Sequence, residues 1–383
     1  MSRTDQRSQR RAAVISLHFT YAHSTHMIGL AQLLRSIGFA VTFILAEEYL
    51  SSPRFSQIGD VIEASGFHLD LECSPIDVAV FCNSAVKNHT LGSTLRAYKS
   101  SIFYLFHEPE SIWNWQVLKS EGALKMLRFV VSTYYSIKIL RQSSGVIVCS
   151  SCAKSLYMKS YLRINPNVHV IPLPFEDEVG EERFEQMRSR KRYFGFVGTA
   201  CKAHGFDAFV EFAKYALRNG SGIPFVIATG VDLSTLLKSD QELSGLVQQG
   251  KICLQHGRRL SNDEINQYYL ECFCIWNVYR RSTQSGVLPR SFMTGTPVLA
   301  SRIGSFPEDV FPGLTGEFVD ANEEPAAILA IVEHMHEHAT DYFGECRKRF
   351  LEKFHYAANR LRLIDILKSV SISVLPSATT TNR

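Results

Sequence analysis

The sequence predicts an α/β fold of two doubly wound domains. Three observations carry that prediction. Short apolar runs alternate with helical segments, as in parallel sheets covered on both faces. The chain opens on a strand, helix, strand unit. After a charged, core-poor stretch the same alternation starts again. At 383 residues the chain exceeds one ordinary core and fits two domains of about 150–200 residues each.

The opening unit is "AAVISLHF", then "HSTHMIGLAQLLRSIGF", then "AVTFILAEE". In the middle piece Ile28, Leu30, Ala31, Leu33 and Leu34 share one side at helical spacing, and Gly38 supplies a stop. "DVAVFC", "SIFYLF", "GVIVCS" and "HVIPLP" read as further strands, so a first domain spans residues 1–174. Residues 175–192, acidic first and basic last, read as a solvated linker with a short helix. The second domain, 193–370, runs "YFGFVG" (strand), "GFDAFVEFAKYALRNG" (amphipathic helix), "IPFVIATG" and "KICLQHG" (strands), "SNDEINQYYLEC" (helix) and "FCIWNV" (strand). "QSGVLPRSFMTGTPVLAS" and "TGEFVD" follow, the last helix being free to return to the first domain; 371–383 read as a flexible tail.

With 45% hydrophobic and 20% charged residues, the composition is that of a soluble globular protein. A net charge of +4 is too mild for a dedicated nucleic-acid binder but admits anionic small ligands or an anionic membrane surface. Nine cysteines are scattered without metal or disulfide spacing, and "CSSC" (Cys149 to Cys152) ends a strand-like run, so its thiols read as structural. No apolar run reaches the ~18 residues that span a bilayer. The basic N-terminus leads into a strand rather than a signal core, which places the chain in the cytoplasm. His18, His23 and His26 lack acidic or thiol partners at ligand spacing, so no metal is expected.

Two such domains put the carboxyl ends of their strands, and helix N-termini that favour phosphate, around a crevice. His107 falls at the carboxyl edge of "SIFYLF", with Glu108 beside it as a base or acceptor-orienting group; a buried structural His and a surface Glu are the alternatives. Ser285 and Gly286 open a helix and let backbone approach phosphate, and Arg290 adds a fork-shaped permanent cation. The alternative for Arg290 is an ion pair with a carboxylate such as Glu308, or a place at the surface. Gly295 and Pro297 read as the turn between helix and strand. Trp113 and Trp115 read as core rather than a sugar platform. Between Val117 and Gln142, Lys119, Lys125, Arg128, Lys138 and Arg141 alternate with Leu, Phe and Tyr; this suits a face resting on anionic lipid, or equally an ordinary helix pair.

Taken in order, these motifs resemble the GT-B-fold glycosyltransferases of the retaining family 4 (group 1), over residues 13 to about 320. "HMIGLAQLLRSIGFAVTFI" is similar to the family's first helix and second strand, with His26 at its common His. "SSGVIVCSSCAKSLYMKSYLRINPNVHVIPLPFE" is similar to the close of its first domain, and "YFGFVGTACKAHGFDAFVEFA" to the opening of its second. "LQHGRRLSNDEINQYYLECFCIWNV" is similar to the pattern before its last donor-side strand. "QSGVLPRSFMTGTPVLASRIGSFPEDVFPGLTGEFVD" resembles its donor block through Gly304, Glu308 and Gly316.

The resemblance implies GT-B architecture, two Rossmann-like domains facing a central cleft. It implies hexosyl transfer with retention from a nucleotide-sugar donor to a glycan or lipid-linked acceptor in polysaccharide or glycolipid synthesis. The 117–142 pattern adds peripheral contact with the inner membrane face, the mild charge argues against nucleic acid, and cationic side chains and amides make a metal unnecessary. On the resemblance, His107 contacts the sugar near the reacting carbon, and His23 and Ser24 belong to the acceptor-side loop. Thr199 and His204 stand where the family carries a phosphate-binding Arg and Lys, with Lys202 able to supply the charge from the same loop. Ser282 and Arg290 replace its two Glu residues, and Tyr21-Ala22 its Gly-Gly. These departures open inversion as an enzymatic variant, and a catalytically silent nucleotide-sugar-binding scaffold as the alternative from another class.

Overall fold

The computed structural model describes residues 9–20, 23–64, 75–109, 123–283, 285–320 and 323–372. The chain divides into two compact units: residues up to Glu176 together with those from Phe354 onward, and Asp177–Lys353.

The first unit holds a seven-stranded parallel sheet: β1 (Arg11–Ser16), β2 (Ala40–Leu45), β3 (Asp60–Glu63), β4 (Val78–Phe81), β5 (Ser101–Leu105), β6 (Gly145–Val148) and β7 (Val168–Val170). Its order is β3-β2-β1-β4-β5-β6-β7. Residues 12–16 of β1 and all of β4 and β6 are buried. That two-sided burial explains why these strands read as unbroken apolar runs rather than alternating ones. Its helices are α1 (Ser24–Ser36), α2 (Arg54–Ile58), α3 (Asn88–Ala97), α4 (Ala123–Gln142) and α5 (Ser151–Ser160), the last capped by Ser150, whose Oγ accepts from the Ala153 amide at 2.9 Å.

The second unit begins with α6 (Gly180–Arg188) and holds a six-stranded parallel sheet. Its strands are β8 (Tyr193–Val197), β9 (Phe225–Ala228), β10 (Ile252–Gln255), β11 (Cys272–Asn277), β12 (Val298–Ala300) and β13 (Gly316–Phe318), ordered β10-β9-β8-β11-β12-β13. Around it lie α7 (Phe206–Arg218), α8 (Ser234–Ser239), α9 (Gln241–Gln248), α10 (Asn262–Glu271), α11 (Val287–Met293), α12 (Pro325–Glu337) and α13 (Ala339–Arg349). Phe209 and Phe212 of α7 pack with Phe194, Phe225 and Trp276 of the sheet. The sequence "SNDE" closes a capping box at the start of α10, Ser261 and Glu264 each taking the other's amide. Helix α14 (Arg360–Ser369), near the chain end, is part of the first unit.

Two local differences from the sequence expectation have clear causes. The strand β3 was not expected, because "DVIE" sits at the sheet edge and is nowhere fully buried. The stretch 175–192 is not uniformly solvated: Phe184 and Met187 on α6 are buried, and Arg347 takes the Asp177 carboxylate in a two-pronged pair.

Candidate functional site

Each sheet reverses its strand order once, between β1 and β4 in the first unit and between β8 and β11 in the second. In open α/β sheets ligands bind outside the carboxyl ends of the strands at that switch point. The site residues expected from sequence fall at or near these two edges.

In the first unit His107 follows β5, and His23 and Ser24 stand at the entry of α1. The structure gathers three imidazoles there: the His107 ring lies 4.3 Å from His23 and 5.5 Å from His26, centroid to centroid. His26 also packs on Phe175 at 5.3 Å. Burial, then His23 and His26, hold the His107 imidazole well below its ordinary range, against a bond with the Cys82 backbone. Burial and then His18 press His23 down to about 4. Both rings are therefore neutral at pH 7, able to accept or donate a single proton at a polar contact. Glu108, next in the chain, is exposed. Spacing linked His23 to His26, but only the fold brings His107 onto them. Among the described residues no group of three His, Cys, Asp or Glu side chains could hold a metal ion. Trp113, Trp115, Tyr21, Ala22, Cys73 and Lys119 lie outside the described residues, as do the side chains of Lys125 and Arg128.

In the second unit Thr199 and Lys202 lie on the loop that leaves β8, both exposed. This loop is tightly held. Arg280 donates to both oxygens of Asp207, at 2.7 and 2.9 Å, and to the Lys202 carbonyl at 3.1 Å. Gly205 closes the loop at φ +67, where a Cβ would stand 2.1 Å from the Val278 carbonyl oxygen. The His204 ring bonds the Thr199 carbonyl at 3.1 Å and stacks on Tyr279 at 4.4 Å. Burial pushes His204 down against that bond, so His204 does not replace the family's cation. Lys202 makes no ion pair among the described residues.

Ser285 and Gly286 precede α11; Ser285 takes the Val287 amide at 3.1 Å. Tyr279, stacked on His204, also packs edge-on against Phe306 in the loop after β12. Gln284 lies outside the described residues. Gly304, at φ +55, lets the next loop pass under this one: a Cβ there would meet the Ser282 carbonyl oxygen at 2.2 Å. Gly295 falls in the turn between α11 and β12 and Pro297 just before that strand, as expected.

Arg290 is on α11 and buried. Its Nη1 donates to Asn266 Oδ1 at 2.6 Å and lies 3.5 Å from Glu178, whose Oε2 also accepts from Asn266 at 2.8 Å. Arg290 does pair with a carboxylate, and that carboxylate is Glu178, supplied by the segment read as linker. The sequence offered no clue to this partner, 112 residues away. Sequence reasoning also missed Asn277 and Thr283. Asn277 ends β11 fully buried, and neither its amide oxygen nor nitrogen, nor the Thr283 hydroxyl, has a hydrogen-bond partner among the described residues. A polar residue closing the apolar run "CFCIWN" is the one sequence signal that points to it.

With this geometry in hand, likeness to solved proteins decides the fold. A glycosyltransferase from Rickettsia africae superimposes with a TM-score of 0.70 at 13% identity, over 95% of this chain and 99% of that one. The fold is GT-B. Anabaena HepE, solved with UDP, matches at 0.67 and 13% identity over 94% of this chain and 100% of its own. The sucrose-phosphate synthase of Thermosynechococcus elongatus matches at 0.65 and 15% over 95% and 99%. No family profile and no curated protein matches the chain in sequence. The first unit runs up to Glu176 and takes in the segment from Phe354 onward, and the second, Asp177–Lys353, carries the loops that leave β8 and β11. No helix among the described residues is long and apolar enough to cross a membrane.

Proposed function

We propose that this protein is a glycosyltransferase that takes a hexose from a nucleotide-sugar donor to a glycan or lipid-linked acceptor. The observation that carries the reading is Lys202: a cation with no ion pair among the described residues, on a loop held by Arg280 and Gly205, at the switch point of the second sheet of a GT-B fold.

Glycosyl transfer is a charge problem, since the departing diphosphate gains negative charge as the anomeric carbon becomes cationic. Fixed cations and N–H groups that need not reorganise lower that barrier. The Lys202 ammonium and the backbone around Thr199, Ser285 and Gly286 supply them, and no metal is required. The buried side chains of Asn277 and Thr283, whose polar atoms have no hydrogen-bond partner among the described residues, offer hydrogen bonds beneath the same loops. Arg290 acts differently from the sequence expectation: shared with Glu178 and Asn266, it positions α11 and the Ser285–Gly286 turn above it. On the first unit, neutral His107 contacts the sugar near its reacting carbon, Glu108 orients an acceptor hydroxyl, and His23 and Ser24 line the acceptor side. Retention of configuration and work at the cytoplasmic face of a membrane, in polysaccharide or glycolipid synthesis, are supported by the sequence resemblance.

One observation favours a second reading, a silent scaffold that binds nucleotide sugar: the cation at the place of the family's second Glu is already committed to Glu178. The test of the first reading is the thermal stabilisation of wild type and Lys202→Ala by UDP, GDP and ADP. Stabilisation by one nucleotide, lost in Lys202→Ala, supports it; no stabilisation by any of them sinks both readings.

A further inference from the structure

A cavity in the first unit belongs to neither set of predicted site residues. It has a volume of about 860 Å³ and lies at the carboxyl ends of β1, β2, β3 and β4, under α4. That volume is within the range of ligand pockets, roughly 300–1,000 Å³. Its walls are apolar where a sugar site would be polar: Leu17, Val86, Leu127, Val131 and Tyr135 line it.

The apolar surface does not end at the cavity. Leu127 and Val131 are 60% and 45% exposed, and their neighbours on α4, Val130 and Tyr134, are 41% and 52% exposed. Positions 127, 130, 131 and 134 form one helical stripe. An apolar stripe running out of an apolar cavity marks a place where something other than water belongs.

The polar lining narrows what that is. Glu47 and Lys87 reach the cavity as exposed charges with no ion pair among the described residues, and Ser84 shares a hydrogen bond of 2.6 Å with Ser132. A carboxylate and hydroxyls recognise sugar hydroxyls, and the ammonium recognises an anionic linkage. A purely apolar partner would leave these groups desolvated and unpaired, at a cost.

Resting on the glycosyltransferase reading, we propose that this cavity and stripe hold the hydrocarbon chain of a glycolipid acceptor, its sugar head held by Glu47, the serines and Lys87. The first unit thereby selects an acceptor by its chain as well as its sugar. Every two methylenes buried there tighten binding by about tenfold.

The experiment titrates the full chain with dodecyl β-glucoside below its critical micelle concentration, and with methyl β-glucoside, which has the same head and no chain. Saturable binding of the dodecyl compound, none of the methyl compound, and a loss of about tenfold in Val131→Asp would support the proposal. Val131 is exposed enough to accept a charge without unfolding, and Leu361→Asp, 76% exposed on α14, controls for general detergent adhesion and should bind as wild type. Non-saturable binding, equal binding of both glucosides, equal loss in Leu361→Asp, or an unchanged Val131→Asp would overturn it. Nucleoside diphosphate stabilisation, measured on the same preparation, separates the two claims. If it persists while dodecyl binding fails, the chain subsite falls alone; if it fails while dodecyl binding persists, the donor reading falls.

Discussion

Arg290→Ala should destabilise the second unit strongly, and for a reason unrelated to donor binding. The Arg290 and Glu178 side chains are 10% and 4% exposed. Removing the guanidinium leaves a buried carboxylate without its cation, which ordinarily costs about 3–5 kcal/mol. The direct N–O separation is long at 3.5 Å, and Asn266 still donates to Glu178 at 2.8 Å after the change, so the expected loss is at the lower end, about 3 kcal/mol. For a unit of this size that corresponds to a fall in Tm of about 6–12 °C. Trp276 is buried in the second unit. In a Trp113→Phe/Trp115→Phe background its fluorescence follows urea unfolding of that unit alone. The double variant Arg290→Leu/Glu178→Leu removes both charges and should recover at least about 1 kcal/mol relative to the sum of the single changes. An Arg290→Ala loss below about 0.5 kcal/mol, or strict additivity of the pair, would refute the buried-pair account.

Other expectations follow from the same geometry. Gly304→Ala places a Cβ against the Ser282 carbonyl and should abolish nucleotide stabilisation while the first unit melts as before; calorimetry with and without nucleotide checks this. His23 titrates near 4 in the folded chain against an ordinary 6.5. On acidification the unfolded state binds its proton first, so stability should fall by about 2–3 kcal/mol between pH 6.5 and pH 4. His23→Asn should flatten that part of the pH profile, and an unchanged slope would remove His23 as its source. His107→Ala should lower turnover far more than nucleotide affinity; equal losses would make it structural. Proton NMR of the first product should show the donor's anomeric configuration retained, and an inverted signal would end that part of the proposal.

The parallel strands were legible because residues buried on both faces leave uninterrupted apolar runs, as in "AAVIS" and "GVIV". The half-buried edge strand "DVIE" lacks that signature and was not. His23, Ser24, His107, Thr199, Lys202 and Ser285 could be nominated because strand ends and helix starts are local features. Their company could not. That His107 packs against His23, that Tyr279 lies between His204 and Phe306, and that Arg280 clasps Asp207 depend on which strands adjoin. Arg290 shows the limit most plainly, since its charge was evident but its partner lay in a segment whose acidic composition reads as solvent-facing. The apolar cavity was invisible for the same reason, its walls coming from the ends of four strands and one helix.

The central claim is transfer from a nucleotide sugar, and its most direct measurement is nucleoside diphosphate release. Purified wild type, Lys202→Ala and His107→Ala would be incubated with UDP-, GDP- and ADP-hexoses, with and without dodecyl β-glucoside as acceptor. Wild type should release one nucleoside diphosphate, faster with acceptor; Lys202→Ala should fail to bind the donor, and His107→Ala should bind it and turn it over slowly. A wild-type protein that binds a nucleotide sugar tightly and releases nothing, with or without acceptor, would contradict the account and leave the silent scaffold in its place.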